Sequence, residues 1–209
     1  MKTCLIISGG DFSYLPSDTN YDYVIACDAG YSNAQKLGIT PDLVMGDFDS
    51  YNGNSMTDFY DIPVLRFNVI KDDTDTMLAV KKALELGYGS IIIACALGGR
   101  LDHTFANIQC MSYATKHGAR CKILTSNEEL ITLSEGTINL PRKSGYSLSL
   151  FSLTDTCENV CIEGAKYTAS DITLTNSFPL GVSNEWSDDI VNISVAHGIL
   201  LIVMSRHID

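Results

Sequence analysis

The sequence predicts an α/β domain built on a parallel sheet, residues 1–127, followed by an antiparallel β domain, residues 128–209. Three observations carry this. Short apolar runs alternate with helical segments through the first part of the chain. Several of those runs stop at glycines or at clusters of aspartates. After about Thr125 the helical period disappears and short period-two segments replace it.

The elements follow in order. Leu5–Ser8 is an apolar run that ends in Gly9-Gly10, and Tyr23–Cys27 is a second that ends in Asp28-Ala29-Gly30. Tyr31–Leu37 reads as a helix. Leu43–Met45 leads into Gly46-Asp47-Phe48-Asp49-Ser50, and Val64–Phe67 precedes Lys71-Asp72-Asp73-Thr74-Asp75. Asp75–Leu86 is helical in pattern. Ile91–Ala96 runs into Gly98-Gly99-Arg100-Leu101-Asp102-His103, and a helix spans His103–His117. Runs this short and this apolar are strands buried on both faces, so helices are expected on both sides of the sheet, a Rossmann-like arrangement. Beyond a boundary at Asn127-Glu128-Glu129, the segments Tyr146–Phe151, Val160–Ile162, Ile172–Thr175 and Ile190–Val195 alternate or run apolar between turns, as in a small β-sandwich.

Composition narrows the function classes. A hydrophobic fraction of 45% supports real cores and excludes a disordered chain. No apolar run approaches the roughly 20 residues of a membrane helix. Met1–Ser8 is too short for a signal peptide and reads as the first strand. The formal net charge of −11 and the lack of a basic stripe argue against nucleic acid. The seven cysteines show no CxxC spacing and sit mostly in apolar runs, as buried reduced thiols of a cytoplasmic protein do.

In sheets of this kind ligands bind beyond the carboxyl ends of the strands, where the acidic clusters fall. Two unit charges about 4 Å apart repel by ~4 kcal/mol at an effective dielectric of about 20, so converging carboxylates need a cation or protons. Asp47 and Asp49 are two apart and share a face in extended backbone. A surface turn accounts equally well for that pentapeptide. Asp72, Asp73 and Asp75 crowd one helix start, where capping by Thr74 or Asp73 needs only one of them. Asp102 can equally be a helix cap. Gly98-Gly99 lets backbone N–H groups approach an anion, and Arg100 offers a fork matched to phosphate. Gly9-Gly10 is a weaker phosphate-loop candidate, and Lys71 points to a phosphate or is solvated. Hard oxygen ligands beside these groups suggest Mg²⁺ with a phosphate ligand, hence phosphoryl-type transfer.

Cys27-Asp28-Ala29-Gly30, Gly46-Asp47-Phe48-Asp49-Ser50, Lys71-Asp72-Asp73-Thr74-Asp75, Gly98–His103 and Leu180-Gly181-Val182-Ser183-Asn184-Glu185 occur in that order. The set closely resembles the thiamine pyrophosphokinase family and spans nearly the whole chain. The resemblance implies transfer of the terminal diphosphate of ATP to the hydroxyethyl oxygen of thiamine, giving thiamine diphosphate and AMP. It implies a homodimer whose active site lies between the α/β domain of one subunit and the β domain of the other. Asp47, Asp49, Asp75 and Asp102 are then expected to hold Mg²⁺ and orient the hydroxyl, with Asp72 a further ligand candidate. Lys71 and Arg100 are expected to meet phosphates, and Gly9, Gly10, Asp28, Thr74 and Gly99 to line the nucleotide side. Ser183 and Asn184 are expected at thiamine. Trp186, the only Trp, is either an aromatic against the cationic thiazolium or a core residue. Ala29 stands where the family usually has Gly. Two alternatives remain at this level: a related pterin pyrophosphokinase, and a non-enzymatic nucleotide- and thiamine-binding sensor.

Overall fold

A computed structural model describes residues 1–47, 61–67 and 72–207. The chain divides into two compact units, Met1–Ser126 and Asn127–Asp209.

Among its described residues the first unit contains six strands: β1 (Thr3–Ile7), β2 (Tyr23–Cys27), β3 (Leu43–Gly46), β4 (Val64–Arg66), β5 (Ser90–Ala94) and β6 (Arg120–Leu124). They pair in parallel in the order β6-β5-β1-β2-β3-β4. The chain steps outward from β1 to β4, then returns to the other side of β1 for β5 and β6. The strand order therefore reverses between β1 and β5, the topological switch point at which such sheets bind ligands.

Among the described residues three helices cover this sheet: α1 (Gly30–Leu37), α2 (Asp75–Glu85) and α3 (Leu101–Lys116). Alternate strand residues face opposite sides. Leu5, Ile7, Val24, Ala26, Val44, Ile92 and Ala94 pack with Tyr31 and Ala34 of α1. Cys4, Ile6, Ile25, Cys27, Ile91 and Ile93 point the other way and are equally buried. Burial on both faces is why these strands read as unbroken apolar runs. Thr74 caps α2, its Oγ1 accepting from the Met77 N–H at 3.2 Å. α1 ends at Gly38, whose φ of 69° is the left-handed cap conformation that glycine adopts without strain.

The second unit is antiparallel: β7 (Glu128–Pro141), β8 (Tyr146–Ser152), β9 (Thr156–Glu163), β10 (Ala169–Thr175), β11 (Gly181–Asn184) and β12 (Ile190–Arg206). β7 and β12 pair along their length, with a register break between Val195 and Ile199 opposite Gly136 and Ser134. Before the break β12 is flanked by β9; after it, by β8. Both legs share one core, in which Val160, Ile162, Val191 and Ile193 meet Leu148, Leu150, Leu200 and Ile202. All seven cysteines are free thiols, and six are buried. Among the described residues no helix is long and apolar enough to cross a membrane.

Candidate active site

The switch point carries a cavity of about 450 Å³. Ser8, Gly9, Gly10 and Asp11 line it after β1; Asp28 and Ala29 after β2; Thr74, Asp75 and Thr76 at the start of α2; and Ala96, Gly98, Gly99 and Arg100 after β5.

Close backbone approach shapes these walls. A Cβ on Gly30 would lie 2.0 Å from the Ile7 carbonyl oxygen, so only glycine lets α1 start against the end of β1. A Cβ on Gly10 would lie 2.6 Å from the Cys95 oxygen. The loop after β1 is tied to the loop after β5 by Ser8 N–H to Ala94 O (2.9 Å), Gly10 N–H to Cys95 O (2.8 Å) and Asp11 N–H to Leu97 O (3.0 Å). Gly10 therefore serves loop-to-loop packing with its N–H already donated, which differs from the phosphate-loop role that the Gly9-Gly10 pair suggests. Gly98 and Gly99, with φ of 82° and 63°, take the conformation needed to present backbone amides to an anion.

The expected site residues are only partly brought together. Asp28, Thr74, Asp75, Gly9, Gly10, Gly99 and Arg100 line the cavity. Asp28 is buried, with a φ of 41° that is unusual for a non-glycine residue. Asp47 follows β3 and is half-buried, while Asp72 is exposed. Asp73 pairs with Lys81 at 2.6 Å and raises the Lys81 pKa through that hydrogen bond. Asp49 and Lys71 lie outside the described residues.

Arg100 and Asp102 meet each other instead of separate ligands. Arg100 Nε donates to Asp102 Oδ1 at 3.1 Å and its Nη2 to Oδ2 at 2.5 Å. The hydrogen bond from Arg100 holds the Asp102 carboxyl below the usual carboxylate range, and Asp102 in turn raises Arg100. Asp102 lies in the first turn of α3, where it also accepts from the His103 N–H at 2.9 Å. It is not the helix cap, because Arg100 holds that position.

In the second unit, Ser183 is exposed at a φ of 60°, its N–H donating to Ser149 Oγ at 3.0 Å. Asn184 and Trp186, expected at thiamine or, for Trp186, alternatively in the core, are both buried. The Asn184 side chain is buried and bonds to the backbone of a distant segment: Oδ1 accepts from the Tyr167 N–H at 2.9 Å, and Nδ2 donates to the Tyr167 carbonyl at 2.8 Å. Trp186 belongs to the core and donates Nε1–H to the Leu140 carbonyl at 3.1 Å, so its ring is spent on packing.

Three polar groups are visible only in the structure. Asp11 packs against Gly98, where a Cβ would meet its Oδ2 at 2.2 Å. Asn107 donates to the Ala96 carbonyl at 2.7 Å. Ser8 and Thr76 hydroxyls pair at 2.9 Å across the cavity floor. Gly and Asp in a post-strand loop were the available signal for Asp11; the two others depend on contacts that no local pattern encodes.

Among the described residues no group of three carboxylate, imidazole or thiol ligands is close enough to hold a metal. The donor chemistry nevertheless fits Mg²⁺, which is bound through one or two carboxylates plus substrate phosphates more often than by a full protein cage. Asp28 and Asp75 supply such carboxylates to a cavity that a glycine pair and a guanidinium also line.

Comparison with known proteins gives the family. Residues 17–123 match the family model for the thiamin pyrophosphokinase catalytic domain, and residues 135–200 match that for its vitamin B1 binding domain. The thiamine pyrophosphokinase of Bacillus subtilis is 27% identical over 212 residues, covering 98% of this chain and 99% of that protein. The fold matches the crystal structure of thiamine pyrophosphokinase from Bacillus subtilis with a TM-score of 0.89 at 24% identity, over 99% of this chain and 100% of that one. It matches thiamin pyrophosphokinase from Candida albicans with a TM-score of 0.80 at 15% identity, over 99% and 89%. With its two halves matching two consecutive domain models of one enzyme, this chain belongs to the thiamin pyrophosphokinase family.

Proposed function

We propose that the protein is an ATP:thiamine diphosphotransferase, moving the β,γ-diphosphate of ATP to the hydroxyethyl oxygen of thiamine and releasing AMP. The observation that carries this is the switch-point cavity, lined by Gly98, Gly99, Arg100, Asp28 and Asp75, in a chain of this family. The reaction needs the polyphosphate held in line with the acceptor oxygen and its charge neutralised, more than it needs covalent help from the protein.

The chain's own groups divide that work. The amides of the Gly98-Gly99 turn and the Arg100 guanidinium bind phosphate oxygens, Arg100 exchanging its Asp102 partner for the nucleotide. Asp28 and Asp75, with Asp47, Asp49, Asp72 and Asp102 as further candidates, provide carboxylates for Mg²⁺ and a hydrogen-bond acceptor for the thiamine hydroxyl. Mg²⁺, when bound, neutralises the phosphates. Lys71 is assigned to a phosphate and Ser183 to thiamine, both from the motif resemblance.

We read the first unit as the Rossmann-like ATP/Mg²⁺ domain and the second as a β-sandwich for thiamine. The bent β7–β12 pair and its single core support the latter. The free buried thiols support a cytoplasmic setting. We further assign a homodimer with its active site at the subunit interface, on the same resemblance. Mixing inactive Asp102→Asn and Ser183→Trp variants then restores roughly a quarter of wild-type sites at random exchange, and no recovery contradicts it.

The test of the activity is AMP production from ATP and Mg²⁺, with thiamine and hydroxymethylpterin supplied separately. The reading predicts AMP with thiamine alone. AMP with the pterin alone, or ADP as product, contradicts it.

A further inference from the structure

The loop after β1 makes one wall of the cavity, yet its carbonyl oxygens are unsuited to a polyphosphate, which they would repel. Asn33, the fourth residue of α1, takes up two of them. Its Nδ2 donates to the Ser8 carbonyl at 3.1 Å and to the Gly10 carbonyl at 3.1 Å. A primary amide has two N–H donors, and both are spent on carbonyls that flank Gly9. Asn33 is 6% exposed and does not line the cavity, whereas Ser8, Gly9 and Gly10 do. Both carbonyls are thus directed at a side chain outside the ligand space. Asn107, which unlike Asn33 lines the cavity, donates to the Ala96 carbonyl of the loop after β5.

Asparagine is a poor helix former, because its side chain competes for backbone hydrogen bonds. Within α1 it is explained by this long-range pair and not by the helix itself. Loops that bind anions must keep acceptors turned away and hold their shape before the ligand arrives.

We infer that Asn33 is a positioning residue for the nucleotide: it fixes the Ser8–Gly10 loop with the Ser8 and Gly10 carbonyls turned from the cavity, so that neither of them repels the polyphosphate. This rests on the reading that the cavity takes ATP.

The test uses the full chain and α,β-methylene-ATP with Mg²⁺, an analogue that cannot be cleaved at the transferred bond. Its dissociation constant is measured by titration calorimetry for wild type, Asn33→Leu (same shape, no donor) and Asn33→Asp (acceptor in place of donor). Leu174→Ala, in the core of the second unit, is the control for a merely destabilised protein. Asn33→Leu and Asn33→Asp should weaken binding on the order of tenfold to a hundredfold, the scale of a misplaced binding loop. The KM for thiamine should stay unchanged, and Leu174→Ala should lower the melting temperature without moving the dissociation constant. Wild-type affinity in either folded Asn33 variant overturns the inference alone. A wild-type protein that fails to bind the analogue overturns the nucleotide reading and the inference with it. Should neither variant fold, heteronuclear NMR of the wild type decides: slow solvent exchange of the Asn33 side-chain amide protons is expected, and fast exchange overturns the clamp.

Discussion

Gly30→Ala should damage stability and catalysis together. The new Cβ would lie 2.0 Å from the Ile7 carbonyl oxygen, 2.8 Å from the Ile7 carbonyl carbon and 3.0 Å from that of Ser8. All three are backbone atoms, so no side chain can swing aside. The start of α1 must retreat from β1 by about 1 Å to reach even a tight contact. Overpacking of this kind costs up to about 3 kcal/mol, and the better helix propensity of Ala returns about 1 kcal/mol at most. A net loss of roughly 2 kcal/mol follows. Ser8, Gly9, Asp28 and Ala29 line the cavity on either side of that contact, so a shift of this size should lower kcat/KM about 100-fold. Gly38→Ala is the matched control, because nothing lies within 4 Å of its Cβ and only its φ of 69° is strained. It should lose about 1 kcal/mol and keep full activity. Urea denaturation followed by far-UV circular dichroism suits this pair, since all three described helices belong to the first unit. If Gly30→Ala proves as stable and as active as Gly38→Ala, the close approach of α1 to β1 does not shape the site.

Asp75→Asn should lower turnover by roughly 100-fold with the fold intact, as removal of preorganised electrostatic groups does; near-normal steady-state turnover counts against its assignment. Trp186→Phe should destabilise the protein by about 1–3 kcal/mol, because the buried Leu140 carbonyl loses its donor, while the KM for thiamine stays unchanged in initial-rate assays. Burial pushes the thiols of Cys4 and Cys110 up from 9.0 to about 12 and about 11. The unfolded chain therefore releases these protons first as pH rises, and stability present below the ordinary thiol value is lost above it. Urea midpoints should fall progressively between about pH 9 and pH 11; a flat profile contradicts this.

The centre of the parallel sheet was legible because β1, β2, β3 and β5 are buried on both faces and each helix carries its own stop signals. Tyr23–Cys27 matches its strand residue for residue, and Thr74 caps α2 as its place before Asp75 suggests. Strands β6, β7 and β11 and the second leg of β12 were not legible. Arg120–Leu124 places Arg120 and Lys122 among its apolar residues and follows directly on a helix. β7 passes through Glu135-Gly136, and β12, read from its first leg Ile190–Val195, continues past His197-Gly198 to Arg206. In the structure they are bends in two continuous strands, at Gly136 with a φ of 113° and Gly198 with a φ of 97°.

At the site, chain-local chemistry was readable and cross-chain chemistry was not. Gly98, Gly99, Arg100 and Asp75 announce themselves by their place after a strand or before a helix. Asn33 and Asn107 read as ordinary helix residues, because the carbonyls that they hold belong to other segments. Trp186 shows the converse: its place beside Ser183-Asn184-Glu185 suggests a ligand contact, while its burial in the core gives it another partner. Asp102 lies in the expected motif, yet its nearest charge is Arg100 from the same motif.

On this reading a diphosphate, not a single phosphoryl group, moves to thiamine in this cavity. ATP labelled at the γ-phosphorus in one reaction and at the α-phosphorus in another, each with Mg²⁺ and thiamine, tests it by mass spectrometry of the products. The account predicts thiamine diphosphate carrying the γ label and AMP carrying the α label, in equal amounts. Thiamine monophosphate with ADP, or labelled AMP formed without thiamine, would contradict it.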